Sequence, residues 1–249
     1  MRNLLVKIAY NGTRYHGYQV QKNAVTVAGT FQAALHQVLG EQVELKGCSR
    51  TDAGVHANDF ALSFHTSAAI PCAALVRALN VKLPPDIAVK SCEEVPADFH
   101  ARYSSTGKRY VYRVRNSEIR SPFEQQQVLL YRYPLQAEQL HETAQGFVGT
   151  FDYAAFCSAG SSVEDTVRTV YDFTVIRQGE LVEFSVTGNG FLYNMVRIMV
   201  GTLLDTAAGK IPPGADSIRE IILSRNRSRA GATAPPQGLY LDKVFYEPF

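Results

Sequence analysis

The run Gly47-Cys48-Ser49-Arg50-Thr51-Asp52-Ala53-Gly54-Val55-His56-Ala57 brings an arginine, an aspartate and a histidine within seven positions of one another. A guanidinium two residues from a carboxylate holds it ionised and oriented, the state that a nucleophile or general base requires. The same residues also suit an ordinary connection in which Asp52 caps its own backbone and Gly54 takes a positive φ. On spacing alone that is the commoner outcome.

A second run is Phe99-His100-Ala101-Arg102-Tyr103 followed by Lys108-Arg109-Tyr110-Val111-Tyr112-Arg113-Val114-Arg115. Strand alternation puts Arg109, Val111, Arg113 and Arg115 on one face and Tyr110, Tyr112 and Val114 on the other. It fits an amphipathic strand with tyrosines in the core, or a tyrosine plane for stacking a base with arginines tracking phosphates. A third run, Thr187-Gly188-Asn189-Gly190-Phe191-Leu192-Tyr193-Asn194-Met195-Val196-Arg197-Ile198-Met199-Val200-Gly201, lacks the third glycine and the acid of a dinucleotide fingerprint. Its Arg197 stands in an otherwise apolar helix, where burial is costly without a partner, so a carboxylate is expected beside it. The fourth run, from Arg229 through Pro235-Pro236 to Leu239-Tyr240-Leu241, is a small-residue loop entering a final strand.

Other chemistry has little footing. The histidines show no metal spacing, and His56, His65 and His100 fit core or surface positions better than catalysis. Cys48, Cys72, Cys92 and Cys157 form no C-x-x-C pair, so reduced, buried thiols are expected rather than a disulfide frame or a zinc site. There is no nucleophile elbow and no phosphate loop.

The chain that must position these groups has 249 residues, 46% hydrophobic and 19% charged, which excludes a disordered tail and allows one large domain or two halves. No window approaches the roughly 18–20 apolar residues of a membrane span, and the first ten residues read as a strand rather than a leader, so a cytoplasmic protein is expected. The net charge of +2 announces no nucleic-acid partner, but its distribution is uneven. Arg102, Lys108, Arg109, Arg113, Arg115 and Arg120 face only Glu118 within their stretch, and Arg219, Arg225, Arg227 and Arg229 only Glu220. Such stretches suit a phosphate-contacting groove or, more commonly, a solvated face.

In the first half, strands are expected at residues 3–10, 43–48, 59–66 and 87–94, and helices at 27–39 and 73–81. Thr26 is the expected N-cap and Gly40 the residue past the helix end, while Pro84-Pro85 stops the second helix. In the second half, strands are expected at 108–115, 167–177, 181–187 and 239–246, and helices at 136–147, 192–208 and 218–223, with Gln178-Gly179 as a hairpin turn. Both halves read β-α-β-β-α-β, the ferredoxin-like plan also used by RNA-recognition modules, which makes the chain α+β. The expected division is 1–105 and 106–249.

Taken together, these runs resemble the tRNA pseudouridine synthase A family. Arg50-Thr51-Asp52-Ala53-Gly54-Val55-His56-Ala57 matches its catalytic motif without a gap. Residues 99–112, 190–204 and 230–241 match its other characteristic stretches in order. Tyr10-Asn11-Gly12-Thr13, His16-Gly17-Tyr18-Gln19 and residues 26–35 are similar to its N-terminal pattern, so the resemblance runs essentially end to end. Tyr18 stands where tryptophan is usual, Ser49 where glycine is usual and Asp59 where glutamine is common.

The resemblance implies isomerisation of uridine to pseudouridine at positions 38, 39 and 40 of the tRNA anticodon stem-loop, with Asp52 as nucleophile and neither metal nor organic cofactor. It implies that Arg50 fills the space left by the flipped nucleotide, Tyr110 stacks on the uracil, Arg197 pairs with Asp52 and Leu239 closes the other side of the base. It also implies a homodimer and two domains whose sheets lie side by side around a basic cleft, the first carrying Asp52 and the second Tyr110 and Arg197. Two other functions compete. An RNA-binding module without catalysis leaves Arg50-Thr51-Asp52 and Arg197 without a purpose, and an acid–base nuclease would use Asp52 with His56.

Overall fold

A computed structural model of the chain describes residues 1–160 and 163–247, with ten strands and five α-helices among them. Their order is β1 (Arg2–Tyr10), α1 (Val27–Leu39), β2 (Lys46–Gly47), β3 (His56–Thr66), α2 (Cys72–Lys82) and β4 (Ile87–Val95). Then come β5 (Gly107–Asn116), β6 (Leu129–Tyr131), α3 (Ala137–Ala144), β7 (Gly149–Asp152), β8 (Val167–Gln178) and β9 (Leu181–Gly188). The chain ends with α4 (Met195–Ala207), α5 (Ala215–Ser224) and β10 (Leu239–Phe245), a mixed α+β architecture. It divides into two compact units, Met1–Thr106 with Tyr240–Phe249, and Gly107–Leu239.

In the first unit the expected βαββαβ order is present. β1 lies between β4 and β3, antiparallel to both, and β2 pairs antiparallel with β3 at Leu62 and Ser63. β3 also pairs in parallel with β10, through Tyr240 opposite His56 and Leu241 opposite Ala57. Leu4, Val6 and Ile8 of β1 are buried with Phe31 and Leu35 of α1 and with Phe60, Leu62 and Phe64 of β3. The Thr26 hydroxyl accepts from the Gly29 amide at 3.3 Å and caps α1, and Gly40 ends it at φ 73°. Leu83, preceding two prolines, is extended and ends α2.

β2 is shorter than the sequence suggests. The Val43 carbonyl is taken by the Gln32 side-chain amide at 3.0 Å, so the segment before Lys46 joins no ladder. The end of the chain is fastened to this unit. The Thr106 amide donates to the Phe245 carbonyl at 2.9 Å, the Tyr246 hydroxyl to Ala101 at 2.9 Å and the Asn58 amide to the Asp242 carboxylate at 3.0 Å.

In the second unit β5, β9, β8 and β7 form an antiparallel run, and β6 pairs in parallel with β5. Of the expected β-α-β-β-α-β order, β5-α3-β8-β9-α4 is present, with β6, β7 and α5 added, but the final strand, β10, groups from Tyr240 on with the first unit, so the second unit is Gly107–Leu239 rather than 106–249. Phe147 packs edge-on against Phe156 at 5.1 Å and stacked on Phe173 at 5.5 Å in a fully buried aromatic core.

Several boundaries differ from expectation: β3 begins at His56 rather than 59, and α5 at Ala215 rather than 218. α3 stops at Ala144 and tightens into a 3-10 turn, where a Cβ on Gly146 would lie 2.3 Å from the Ala215 carbonyl oxygen. α4 begins at Met195 rather than 192 because Asn194 takes φ 60°. The β8–β9 turn is Gly179-Glu180, since Gln178 still pairs with Leu181. All four cysteines are free, but only Cys48 is buried; Cys72, Cys92 and Cys157 are half-buried. No helix among the described residues is long and apolar enough to cross a membrane.

Candidate active site

Asp52 is half-buried and opens a tight turn in which the Val55 amide returns to its carbonyl at 3.1 Å and Gly54 takes φ 78°. The turn is gripped by the segment that follows β1. The Tyr18 amide donates to the Thr51 carbonyl at 3.1 Å, the Gly54 amide to Tyr15 at 3.3 Å, and the hydroxyls of Tyr10 and Thr51 meet at 2.8 Å. Contact is close enough that a Cβ on Gly12 would lie 1.9 Å from the Val55 oxygen, and one on Gly17 2.5 Å from the Thr51 oxygen. Thr51, Gly54 and Val55, on either side of Asp52 along the turn, are therefore held by main-chain contacts.

His56 is 1% exposed, stacks on Tyr240 at 4.7 Å and accepts the Gly12 amide on Nδ1 at 3.0 Å. A ring 1% exposed, stacked and held at Nδ1 is packed as a structural clamp, which argues against a nuclease using Asp52 with His56. Arg50 is exposed beside the turn. Tyr18 stacks on Phe60 at 4.2 Å, so the aromatic that replaces tryptophan belongs to the packing beneath the loop. Burial, with the neighbouring Cys48 second, pushes its hydroxyl's pKa up. Asp59 is bridged by Lys7 and Lys90, each at 3.3 Å.

In the second unit Arg197 lies in the first turn of α4. Its Nε donates to the Ala234 carbonyl at 2.7 Å and its Nη1 to Asn194 Oδ1 at 2.7 Å, while the Ala234 amide returns to the Arg197 carbonyl at 3.0 Å. The loop before β10 is seated against α4: a Cβ on Gly201 would lie 1.7 Å from the Ala232 oxygen, and the Gly231 amide donates to Thr202 Oγ1 at 2.9 Å. The glycines of the third and fourth runs thus permit backbone contact between helix and loop. The Tyr112 hydroxyl continues the network to Pro235 at 2.7 Å; burial raises its pKa and the Arg197 charge opposes that shift. Leu239, at 5% exposure, follows the same loop into β10.

Tyr110 is 6% exposed, pairs across the ladder with Val186 and meets Phe191 edge-on at 5.2 Å. The predicted alternation holds, with Tyr110, Tyr112 and Val114 buried. The basic face is less cationic than its sequence neighbourhood suggests. Arg113 is bridged by Glu183 at 2.9 Å, and Arg115 by Glu124 and Glu180. In the later basic run, Arg225 is bridged by Asp152 at 2.8 Å, Arg229 lies 3.7 Å from Glu220, and Arg227 holds the Ala230 and Gly231 carbonyls.

Sequence inspection missed Asn194 and the Ala234 carbonyl as partners of Arg197. The only signal was an asparagine just ahead of the helix, a residue type that tolerates left-handed backbone. Among the described residues, no cluster of three or more His, Cys, Asp or Glu side chains is placed to hold a metal ion.

A family profile described as tRNA pseudouridine synthase matches residues 7–104 and 143–247. A tRNA pseudouridine synthase A from Acetivibrio thermocellus is 48% identical over 246 residues, covering 99% of this chain and 100% of the relative. One from a Thermoanaerobacter species is 46% identical with the same coverage, and one from Exiguobacterium sibiricum is 44% identical, covering 99% of this chain and 97% of its own.

Proposed function

The chain belongs to the tRNA pseudouridine synthase family, and from that premise we propose that it isomerises uridine to pseudouridine at positions 38, 39 and 40 of the tRNA anticodon stem-loop. The observation that carries this reading is the Asp52 turn. It presents one carboxylate on a main-chain frame held by Tyr10, Tyr15 and Tyr18, within the matched stretch 7–104. A nucleophile needs such fixed placement, because misplacement by about 1 Å costs on the order of 100-fold in rate.

The target nucleotide leaves the stack, at a cost of a few kcal/mol of unstacking. Asp52 acts at the reacting nucleoside; the N1–C1′ bond breaks, the uracil turns, and C5 bonds to C1′. The C5 hydrogen leaves as a proton and N1 gains one, so atoms balance without a cofactor. Arg50 steadies the flipped nucleotide from its exposed position, Tyr110 stacks on the uracil, Arg197 pairs with the Asp52 carboxylate and Leu239 packs on the base. The first domain thus supplies the nucleophile and the second the stacking and pairing groups. The enzyme works as a homodimer in the cytoplasm, a reading that rests on the family resemblance.

The test is tritium release from tRNA carrying uridine labelled at C5, with wild type and Asp52→Ala. Release by wild type, lost in a folded mutant that still binds tRNA, is the expected result. Intact, bound tRNA that releases no tritium with folded wild type would leave an RNA-binding module instead.

A further inference from the structure

Three described non-glycine residues have positive φ, and Asn194, at φ 60°, is the one whose side chain reaches a proposed site residue. Left-handed backbone is unfavourable for a non-glycine residue, and asparagine is among the types that tolerate it best. The side chain explains the choice. Its Oδ1 accepts from Arg197 Nη1 at 2.7 Å and its Nδ2 donates to Ser158 Oγ at 3.0 Å. A guanidinium has no acceptor, so the amide oxygen must face Arg197 and the NH2 must face Ser158. Ser158 is itself tied back, its amide donating to the Tyr193 carbonyl at 3.1 Å. On another edge of the guanidinium, Nε is held by the Ala234 carbonyl at 2.7 Å. Two acceptors from different segments therefore set the plane of the Arg197 head group.

We infer that Asn194 is a positioning residue for Arg197. Its left-handed backbone and Ser158-anchored amide fix the orientation in which the guanidinium meets an anionic group. The inference rests on the proposal that Arg197 serves the Asp52 carboxylate during isomerisation. A planar cation free to swing about its last side-chain torsions would meet that carboxylate in many poses, whereas one held at Nε and Nη1 meets it in few. The effect belongs in the chemical step and not in tRNA affinity.

Asn194→Gly is the informative substitution, because glycine accepts φ 60° and only the amide is lost. C5 tritium release and KM for tRNA would be measured for wild type, Asn194→Gly, Ser158→Ala, Arg197→Ala and the Asn194→Gly/Arg197→Ala double variant. The expected result is a fall in kcat of about 10- to 100-fold for Asn194→Gly with KM unchanged. Ser158→Ala should show a smaller loss of the same kind, and it carries the test if the glycine variant folds poorly. The double variant should be no slower than Arg197→Ala alone, since an amide that acts through Arg197 has nothing left to position. Wild-type kcat in folded Asn194→Gly and Ser158→Ala, or losses that multiply in the double variant, would overturn the inference. Should Arg197→Ala keep full activity, the role given to Arg197 fails and this inference with it. A slow Arg197→Ala beside a fast Asn194→Gly sinks the inference alone.

Discussion

The Asp52 turn and the start of α4 hold their key side chains in opposite ways. Asp52 lies in irregular backbone, and its placement depends on residues more than thirty positions earlier: Tyr10, Gly12, Tyr15, Gly17 and Tyr18. Arg197 lies in a regular helix and is oriented by Asn194, three residues away, and by one carbonyl from the loop before β10. A loop that must present a carboxylate borrows stiffness from a distant strand end. A helix supplies its own stiffness and needs only to aim a flexible side chain. Damage to the first region should therefore reach stability and activity together, and damage to the second should separate them.

The largest expected effect tests the part the two regions share, backbone contact at glycine. Gly12→Ala and Gly201→Ala would each place a Cβ within 2 Å of a carbonyl oxygen, at 1.9 and 1.7 Å, and main chain cannot rotate away as a side chain does. Each should cost about 3 kcal/mol in urea unfolding. A cost near zero for Gly12→Ala would mean that the turn is not gripped as described. Next comes Thr51→Val, which leaves the buried Tyr10 hydroxyl without its 2.8 Å partner and should cost about 1–3 kcal/mol. Its kcat should fall as well, whereas the Asn194 substitutions should leave the unfolding midpoint close to wild type.

A smaller effect lies away from both regions. The Asp152 carboxyl is held below its ordinary 3.8 by the Thr166 hydroxyl first, then by the Ala154 amide and the Arg225 guanidinium, against the opposing effect of burial. A depressed folded value means that the stabilisation is present above the ordinary Asp range and is lost as pH falls through the lowered value. Asp152→Asn should therefore flatten the acid side of a stability–pH curve and leave the two regions compared above untouched. The smallest effect has the opposite sign. The Tyr18 hydroxyl is buried with no hydrogen-bond partner among the described residues. Tyr18→Phe should be neutral or raise stability by up to about 1 kcal/mol, with stacking on Phe60 retained. A clear loss would reveal a partner for that oxygen.

The same contrast governs how much was legible in the sequence. α1 was readable to its last residue because a Thr cap, a 3.6-residue apolar period and a following glycine are local signals. The face alternation of β5 was readable for the same reason. Glu183 on Arg113 and Glu180 on Arg115 were not, because they arrive from β9 and the turn before it, 70 and 65 residues away across the ladder. Asp52 and Gly54 announced a turn, but nothing near them in sequence showed that Tyr10 through Tyr18 would grip it. Arg197 announced that it needed a partner, and a carboxylate was the natural expectation. Within its own unit a main-chain carbonyl and an asparagine share that task, and neither carries a charge pattern to read. The early start assigned to α4 has the same origin, since one asparagine in left-handed backbone breaks no hydrophobic period.

The attachment of the chain's last residues to its first unit has a consequence for how the protein is made. Met1–Thr106 leaves the ribosome well before Tyr240, yet the edge of β3 at His56 and Ala57 pairs with Tyr240 and Leu241, and the Thr106 amide donates to Phe245. At elongation rates of roughly 5–20 residues per second that gap is on the order of ten seconds. Throughout it a growing chain carries an unfinished sheet edge next to the Asp52 turn, open to pairing with another nascent chain. A chain interrupted before Tyr240 would thus carry its defect in the first unit, at the β3 edge made long before the interruption.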